Sequence, residues 1–280
     1  MNNCTVVVCS CDDYDDVWEL FFCSFKDNWE GCEYDLLLNT ESKQIDIDWV
    51  KAVNSNYLKG RDKWGERLIN VLRSVSTKYV IVLYDDYVLS GKVDSDEISK
   101  CISRMEVNEN IAAFYLTNCS PHDVQDGEFP KFNKVADRAD YKLNSAPAVW
   151  NRVKLLSYLQ EEDTPWAWEY FGSYRAYETK DIFYQVKIEE DDIYPYFTEG
   201  GAIYRGKWQE KFVKPLIEKY NLNLDLSKRG CSQTLPSQRR RSLKWKVDFF
   251  RKGFNMIGFA VIIFMFRIVK EKIKKKFINL

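Results

Sequence analysis

The sequence predicts an α/β domain whose central sheet is mostly parallel and flanked by helices, followed by a membrane-associating C-terminal helix. Apolar runs with strand character alternate with segments of helical periodicity, and this order is typical of parallel strands joined by right-handed crossovers. The chain has 280 residues, of which 45% are hydrophobic, so it can bury the core that such a sheet requires.

The first half of the chain supplies these elements in order. The predicted strands cover 5–9, 34–38, the apolar run ending at Tyr84, and 111–116, and the predicted helices cover 16–25 and 64–75. The first strand ends in a polar loop and the second ends at Asn39-Thr40-Glu41. The third is rich in β-branched residues, as in a strand covered on both faces.

The second half is less regular. Residues 120–138 are polar and turn-rich and predict a long surface loop of the kind that often forms a functional lid. A strand is predicted at 141–150 and a helix at 152–160. The predicted organisation is a body at 1–221, a linker at 222–238 and a basic, apolar tail at 239–280.

The charge distribution excludes some functions. The tail has thirteen Lys or Arg against two acids, a net charge of +11, which leaves −12 on the remaining residues. An acidic body argues against a nucleic-acid-binding surface. Eight cysteines without a Cys-x-x-Cys pair, and a single His, do not supply a structural zinc site. They predict free thiols in a reducing cytosol, and the start of the chain predicts no secretory signal.

Two adjacent acids, Asp85 and Asp86, end the third predicted strand. Ligands of open α/β sheets bind outside the carboxyl ends of the strands, so this is a predicted site position. Carboxylate oxygens are suited to Mg²⁺ or Mn²⁺, which in turn can hold phosphates. The alternative is that one acid caps the next element while the other is solvated.

These strand ends together resemble the nucleotide-sugar glycosyltransferases of the GT-A fold, a Rossmann-like fold. Tyr84-Asp85-Asp86-Tyr87 is similar in position to the family's Asp-x-Asp motif but lacks its intervening residue. Residues 147–151 and 164–169 look like the acceptor half of bacterial surface polysaccharide (capsule or O-antigen) enzymes, and the resemblance spans 4–210. It implies sugar transfer from a nucleotide diphosphate donor to a glycan acceptor, which in that pathway is expected to be lipid-linked.

The resemblance also implies roles for particular residues. Asp86 is the expected direct ligand of Mn²⁺ or Mg²⁺, with Asp85 contacting the ribose or a metal-bound water. Glu169 is the expected base if the reaction inverts the anomeric centre. The flanking aromatics are expected to form platforms for the acceptor sugar: Trp166, Trp168 and Tyr170. The alternatives are core packing for the aromatics and a surface helix for Glu169.

The remaining predicted residues would bind the donor nucleotide. They are Ser10, Asp12, Asn39, Arg175, Arg205 and Lys207. Ser10 and Asp12 follow the first strand, where the family seats the nucleotide base, although Asp12 also suits a helix start. The cations would meet diphosphate oxygens, and glycines at 200–206 would permit close approach of the backbone. A tight turn with exposed cations is the alternative for this stretch.

The tail contains fourteen uncharged, mostly apolar residues at 253–266 between basic flanks. This run is short for a membrane span, and positive charge on both sides is unusual for one. We therefore expect a helix in the cytoplasmic leaflet, which would place the body at the cytoplasmic face of the membrane. A soluble helix docked on the acidic body is the alternative. Two other functions stay open: a metal-dependent nucleotidyltransferase and a non-catalytic membrane-bound glycan-binding protein.

Overall fold

The computed structural model describes residues 3–55, 57–197, 201–204, 206–232, 242–264 and 266. Within them, a large sheet of nine strands is flanked by helices, beside a small sheet of three strands. The strands are β1 Cys4–Cys9, β2 Asp35–Thr40, β3 Val50–Asn54, β4 Tyr79–Tyr84, β5 Ile111–Tyr115, β6 Asp123–Val124, β7 Phe132–Val135, β8 Ala148–Asn151, β9 Ile182–Val186, β10 Ile203–Tyr204, β11 Lys207–Gln209 and β12 Cys231–Ser232. The helices are α1 Asp15–Asn28, α2 Trp64–Ser74, α3 Ser95–Val107, α4 Arg152–Tyr158, α5 Pro165–Tyr170, α6 Glu210–Tyr220 and α7 Leu243–Ile257.

The large sheet has a parallel half and a mixed half. Its order is β3-β2-β1-β4-β8-β5-β9-β7-β6. Strands β1 to β4 are parallel, whereas β8 runs antiparallel to both of its neighbours, β4 and β5. The prediction of a parallel sheet is therefore confirmed for the first half of the chain and corrected to a mixed sheet for the second.

Both faces of the sheet are covered, which explains the apolar runs in its central strands. In β1, Val6 and Val8 face one core layer while Val7 faces the other. Helices α1 and α3 contribute to the first layer and α2 and α4 to the second. Because side chains alternate across a strand, a strand buried on both faces needs apolar residues at every position.

The predicted elements of the first half are confirmed, with β3 and α3 added. The second half departs from prediction. The predicted loop at 120–138 contains β6 and β7, which pair with each other while β7 also pairs with β9. The predicted strand at 141–150 is reduced to β8. These strands are short and depend on sheet partners distant in sequence, so local pattern did not indicate them. All eight cysteines are free thiols, as predicted.

The predicted linker begins with a packed segment. Leu222, Leu224 and Leu226 pack against the main core, and β12 pairs with β11. Arg229 forms an ion pair with Asp16 of α1. The body therefore extends to residue 232, while 233–241 lie outside the described residues.

The tail packs against the body through α7 and the helical residues 260–264. Ser242 caps α7 by accepting a hydrogen bond from the amide of Trp245 at 3.1 Å. Phe249 and Phe264 contact Phe171, with ring centroids 4.7 and 5.3 Å away. This contact is apolar, and Lys252 Nζ also lies 3.7 Å from the carboxylate of Asp62, so within the part of the chain that the structure describes the contact with an acidic surface expected by the soluble alternative is limited to one ion pair. Among the described residues, no helix combines the length and apolar character needed to cross a membrane.

Candidate active site

A cleft of about 410 Å³ lies at the carboxyl ends of β1, β2 and β4. The ends of these parallel strands meet at one edge of the sheet, as the sequence predicted. Helix α5 closes the opposite side. The lining includes Ser10, Tyr14, Glu41, Gly60, Trp64, Arg67, Tyr84, Asp85, Asp86, Tyr87, Ser145, Trp166 and Glu169.

Asp85 is held at the floor of the cleft by the end of β1. Its backbone amide donates to the carbonyl of Cys9 at 3.4 Å, and its carboxylate accepts a hydrogen bond from Ser10 Oγ. The indole Nε1 of Trp18 donates to the same Ser10 oxygen at 2.7 Å. Burial, reinforced by the charge of Asp86, raises the pKa of Asp85 well above its usual range. The structure thus brings Ser10 and Asp85 together.

Asp86 lies beside the glycine-bearing stretch. Burial raises its pKa to about 6, and its own backbone amide opposes this increase. Gly201 has φ +68°, and a Cβ there would lie 3.0 Å from the backbone oxygen of Asp86. Glycine is therefore required both by the backbone conformation and by the close approach. The prediction for Arg205 falls outside the described residues.

Two of the acidic residues that line the cleft, Asp85 and Asp86, are adjacent and are the candidate ligands of a metal ion. Among the described residues, no group of three or more His, Cys, Asp or Glu side chains is placed to hold one. Mg²⁺ is commonly bound by one or two carboxylates together with substrate phosphates and waters. Asp85 and Asp86 therefore fit a divalent ion that shares its coordination with a bound diphosphate, and they do not form a complete protein cage.

Glu169 stands between the cleft and a second cavity. Its Oε1 accepts hydrogen bonds from the backbone amide of Ser145 at 3.1 Å and from the Ser145 hydroxyl. Burial raises the pKa of Glu169, and the bonds from Ser145 oppose this. The second cavity, of about 390 Å³, is lined by Asn118, Cys119, Ser120, Pro121, Tyr141, Asn144 and Glu169. One carboxylate thus faces both spaces.

The loop at 141–146 positions Ser145. Tyr115 donates its hydroxyl proton to the carbonyl of Lys142 at 2.7 Å and accepts from the amide of Asn144 at 3.0 Å. Tyr141 has φ 58°, a left-handed conformation that is strained in a residue other than glycine. The sequence pattern predicts a strand here and so does not indicate this part of the site; the polar pair Asn144-Ser145 was the available signal.

A buried ion pair builds the wall of the cleft beside β2. Glu41 accepts hydrogen bonds from the amides of Asp12 at 3.0 Å and Gly60 at 2.6 Å. Arg67 lies 3.3 Å from the same carboxylate and donates to the carbonyls of Leu58 and Gly60, both at 2.8 Å. Neither side chain stands out in the sequence as functional, because a cation on an amphipathic helix is ordinarily solvated.

Asp12 and Asn39 are close to the cleft but do not line it. The Asp12 carboxylate accepts from the amides of Ser42 at 2.9 Å and Lys43 at 3.0 Å, joining two loops. Asn39 is buried in β2, where its backbone oxygen accepts from the amide of Ser10 at 3.0 Å. Both residues support the strand ends, and the donor contacts predicted for their side chains are corrected accordingly.

The predictions for Arg175 and Lys207 are corrected by their positions. Arg175 makes a two-pronged ion pair with Asp163, at 2.6 and 2.9 Å, and also donates to Gln160 at 2.6 Å. The Asp163 carboxylate is buried, so the Arg175 guanidinium is held in an ion pair within the body and does not reach the cleft. Lys207 is exposed in β11 and does not line the cleft.

The three aromatic residues predicted to bind the acceptor lie in three different environments. Trp166 lines the cleft. Trp168 is buried against Trp64 and Trp150, and its Nε1 donates to the carbonyl of Tyr158 at 3.2 Å, so core packing is the correct interpretation. Tyr170 packs against Tyr141 on one side and against Phe249 and Phe264 of the tail on the other.

Comparison with known proteins gives distant structural matches only. The sequence matches no protein-family model and no curated protein. Similar solved structures include residues 1–349 of S. aureus TarS, with 12% identity, 92% of this chain and 82% of that chain covered, and a TM-score of 0.49. A cytidylyltransferase from Leptospira borgpetersenii has 11% identity, with 70% and 80% covered and a TM-score of 0.43. A CMP:2-keto-3-deoxy-manno-octonic acid synthetase complexed with CTP has 13% identity, with 69% of this chain and 94% of that chain covered and a TM-score of 0.39. With identities of 11–13% and TM-scores below 0.5, these matches indicate no more than a distant similarity in the backbone fold.

Proposed function

We propose that this chain is a glycosyltransferase that moves a sugar from a nucleotide diphosphate donor to a glycan hydroxyl. The observation that carries the proposal is the position of Glu169. This partly buried residue lines a cleft containing Asp85 and Asp86 on one side and a polar cavity on the other. A base between donor and acceptor is the arrangement that an inverting transfer requires.

The cleft would hold the donor. Departure of the nucleoside diphosphate places negative charge on its phosphate oxygens, and a divalent cation, Mn²⁺ or Mg²⁺, would neutralise that charge when bound. Asp86 would be its main protein ligand, and Asp85, oriented by Ser10 and Trp18, would contact the ribose or a metal-bound water. Trp166 would wall the cleft against solvent.

The second cavity would hold the acceptor. Its amide and hydroxyl side chains suit the hydroxyl groups of a sugar. As the acceptor oxygen attacks the anomeric carbon, its proton passes to Glu169, and the bond to the leaving phosphate oxygen breaks with its electron pair. The raised pKa makes Glu169 a better proton acceptor than an ordinary glutamate. Ser145 fixes the orientation of the carboxylate.

Calorimetry of the full chain with a panel of nucleotide sugars, with and without Mn²⁺, tests the donor site. We expect binding that requires the metal and is lost in Asp86→Ala. The matched control is Glu189→Ala, which removes an exposed acid outside the cleft. Metal-independent binding, or binding unchanged in Asp86→Ala, would contradict the proposal. Pyrophosphate release from a nucleoside triphosphate without sugar transfer would identify a nucleotidyltransferase instead.

A further inference from the structure

We propose that the C-terminal helices bind the surface of an anionic phospholipid bilayer and lie in the plane of its interface. Helix α7 carries four exposed apolar residues, Leu243, Val247, Phe250 and Phe254. They are spaced by four, three and four residues, so they form one stripe along the helix. Leu243, at 79% exposed, and Val247, at 64%, are more exposed than folding alone favours.

The apolar surface continues beyond α7. The chain turns at Gly258, which has φ +57°, and residues 260–264 are helical. Phe259, Ile263 and Phe266 are each at least 70% exposed. Val261 and Phe264 alternate with them and are buried against the body. The segment therefore has an inner face that packs on the protein and an outer face that is apolar, and large contiguous apolar patches mark interaction sites.

Positive charge borders this apolar face. At helical spacing, Lys246 lies on one flank of the α7 stripe, and Lys244 and Arg251 lie on the other. The sequence from 239 to 280 carries a net charge of +11 against −12 on the rest of the chain. Cations beside an apolar stripe complement anionic lipid headgroups, with the apolar side chains inserted between them. A second copy is a poor occupant, because pairing two such faces would bring like charges together.

The inner face places this surface next to the candidate active site. A Cβ on Gly253 would lie 2.6 Å from Phe171 Cζ, so α7 is in tight contact with the residue that follows α5. Helix α5 carries Glu169. This arrangement would hold the second cavity near the bilayer. If that cavity binds the acceptor, as the proposed function on which this step rests requires, the acceptor class that fits is a lipid-linked glycan.

Flotation of the full chain with vesicles tests the surface. Vesicles of phosphatidylcholine alone are compared with vesicles containing phosphatidylglycerol, at low and high salt. We expect salt-sensitive binding to the anionic vesicles and about a tenfold or greater loss in Val247→Glu/Phe254→Glu. The matched control is Ile188→Glu, since Ile188 is 84% exposed but lies on the body. Circular dichroism checks that the variants fold.

Three results would overturn the inference. They are no preference for anionic vesicles, unchanged flotation of Val247→Glu/Phe254→Glu, or a wild-type dimer that the same substitutions dissociate without lipid. Nucleotide-sugar binding is measured separately, in the absence of vesicles. In the variant, lost flotation with retained nucleotide-sugar binding would support the surface independently of the proposed function. Unchanged flotation with retained nucleotide-sugar binding would overturn the surface and leave the proposed function standing.

Discussion

Replacing Arg67 with methionine is expected to destabilise the fold by roughly 3 kcal/mol. Arg67 is 3% exposed, and its guanidinium holds Glu41 and two backbone carbonyls. Methionine fills similar space without the charge. Glu41 would then be a buried carboxylate without its cation, which typically costs 3–5 kcal/mol. Two amide donors stay on Glu41, from Asp12 and Gly60, so the lower end of that range is expected.

Urea unfolding followed by fluorescence measures this cost. With a slope of about 3 kcal/mol per molar urea, the midpoint should fall by roughly 1 M. The matched control is Lys63→Met, because Lys63 forms a solvent-exposed pair with Glu66 and its removal should leave the urea midpoint close to that of the wild type.

The double variant Arg67→Met/Glu41→Gln provides the decisive comparison. It leaves no uncompensated charge in the wall of the cleft, so it should lose less stability than the sum of the two single changes. A loss below about 1 kcal/mol in Arg67→Met, or strict additivity in the double variant, would refute the assignment of a buried pair.

Three further predictions concern the site and the tail. Glu169→Gln should lower kcat by about 10²–10⁴-fold while donor binding is kept. Its melting temperature should not fall, because burial already disfavours the charged carboxylate. A changed Kd for the donor with an unchanged kcat would contradict the role of base. In the wild type, kcat should fall as pH decreases through the raised pKa of Glu169, because the protonated acid cannot accept a proton. Over the same titration, Mn²⁺ affinity measured by calorimetry should weaken below about pH 6, where Asp86 gains a proton. Gly253→Leu should collide with Phe171 and speed amide exchange in α7 but not in α2; equal protection of α7 would show that the contact is loose.

The edge of the sheet that forms the cleft was predictable because its determinants are local. β4 is apolar or aromatic at every position and β1 at every position but Thr5, which identifies strands covered on both faces. The acids that follow β4 then fall at the carboxyl edge by topology alone. The same reasoning failed for β6 and β7, which are short and owe their conformation to pairing with partners elsewhere in the sheet.

What the sequence alone determined about this protein is therefore the parallel half of the sheet and the acids at its edge. Only the tertiary structure decided which neighbouring side chains share the site. Trp166 and Trp168 are two residues apart on one short helix, yet one lines the cleft and the other is core. Arg229 pairs with Asp16 across 213 residues of sequence. Which face of a short helix is buried, and which residue pairs with a buried charge, depend on the elements that pack against them. The spacing of residues in the sequence does not specify those elements.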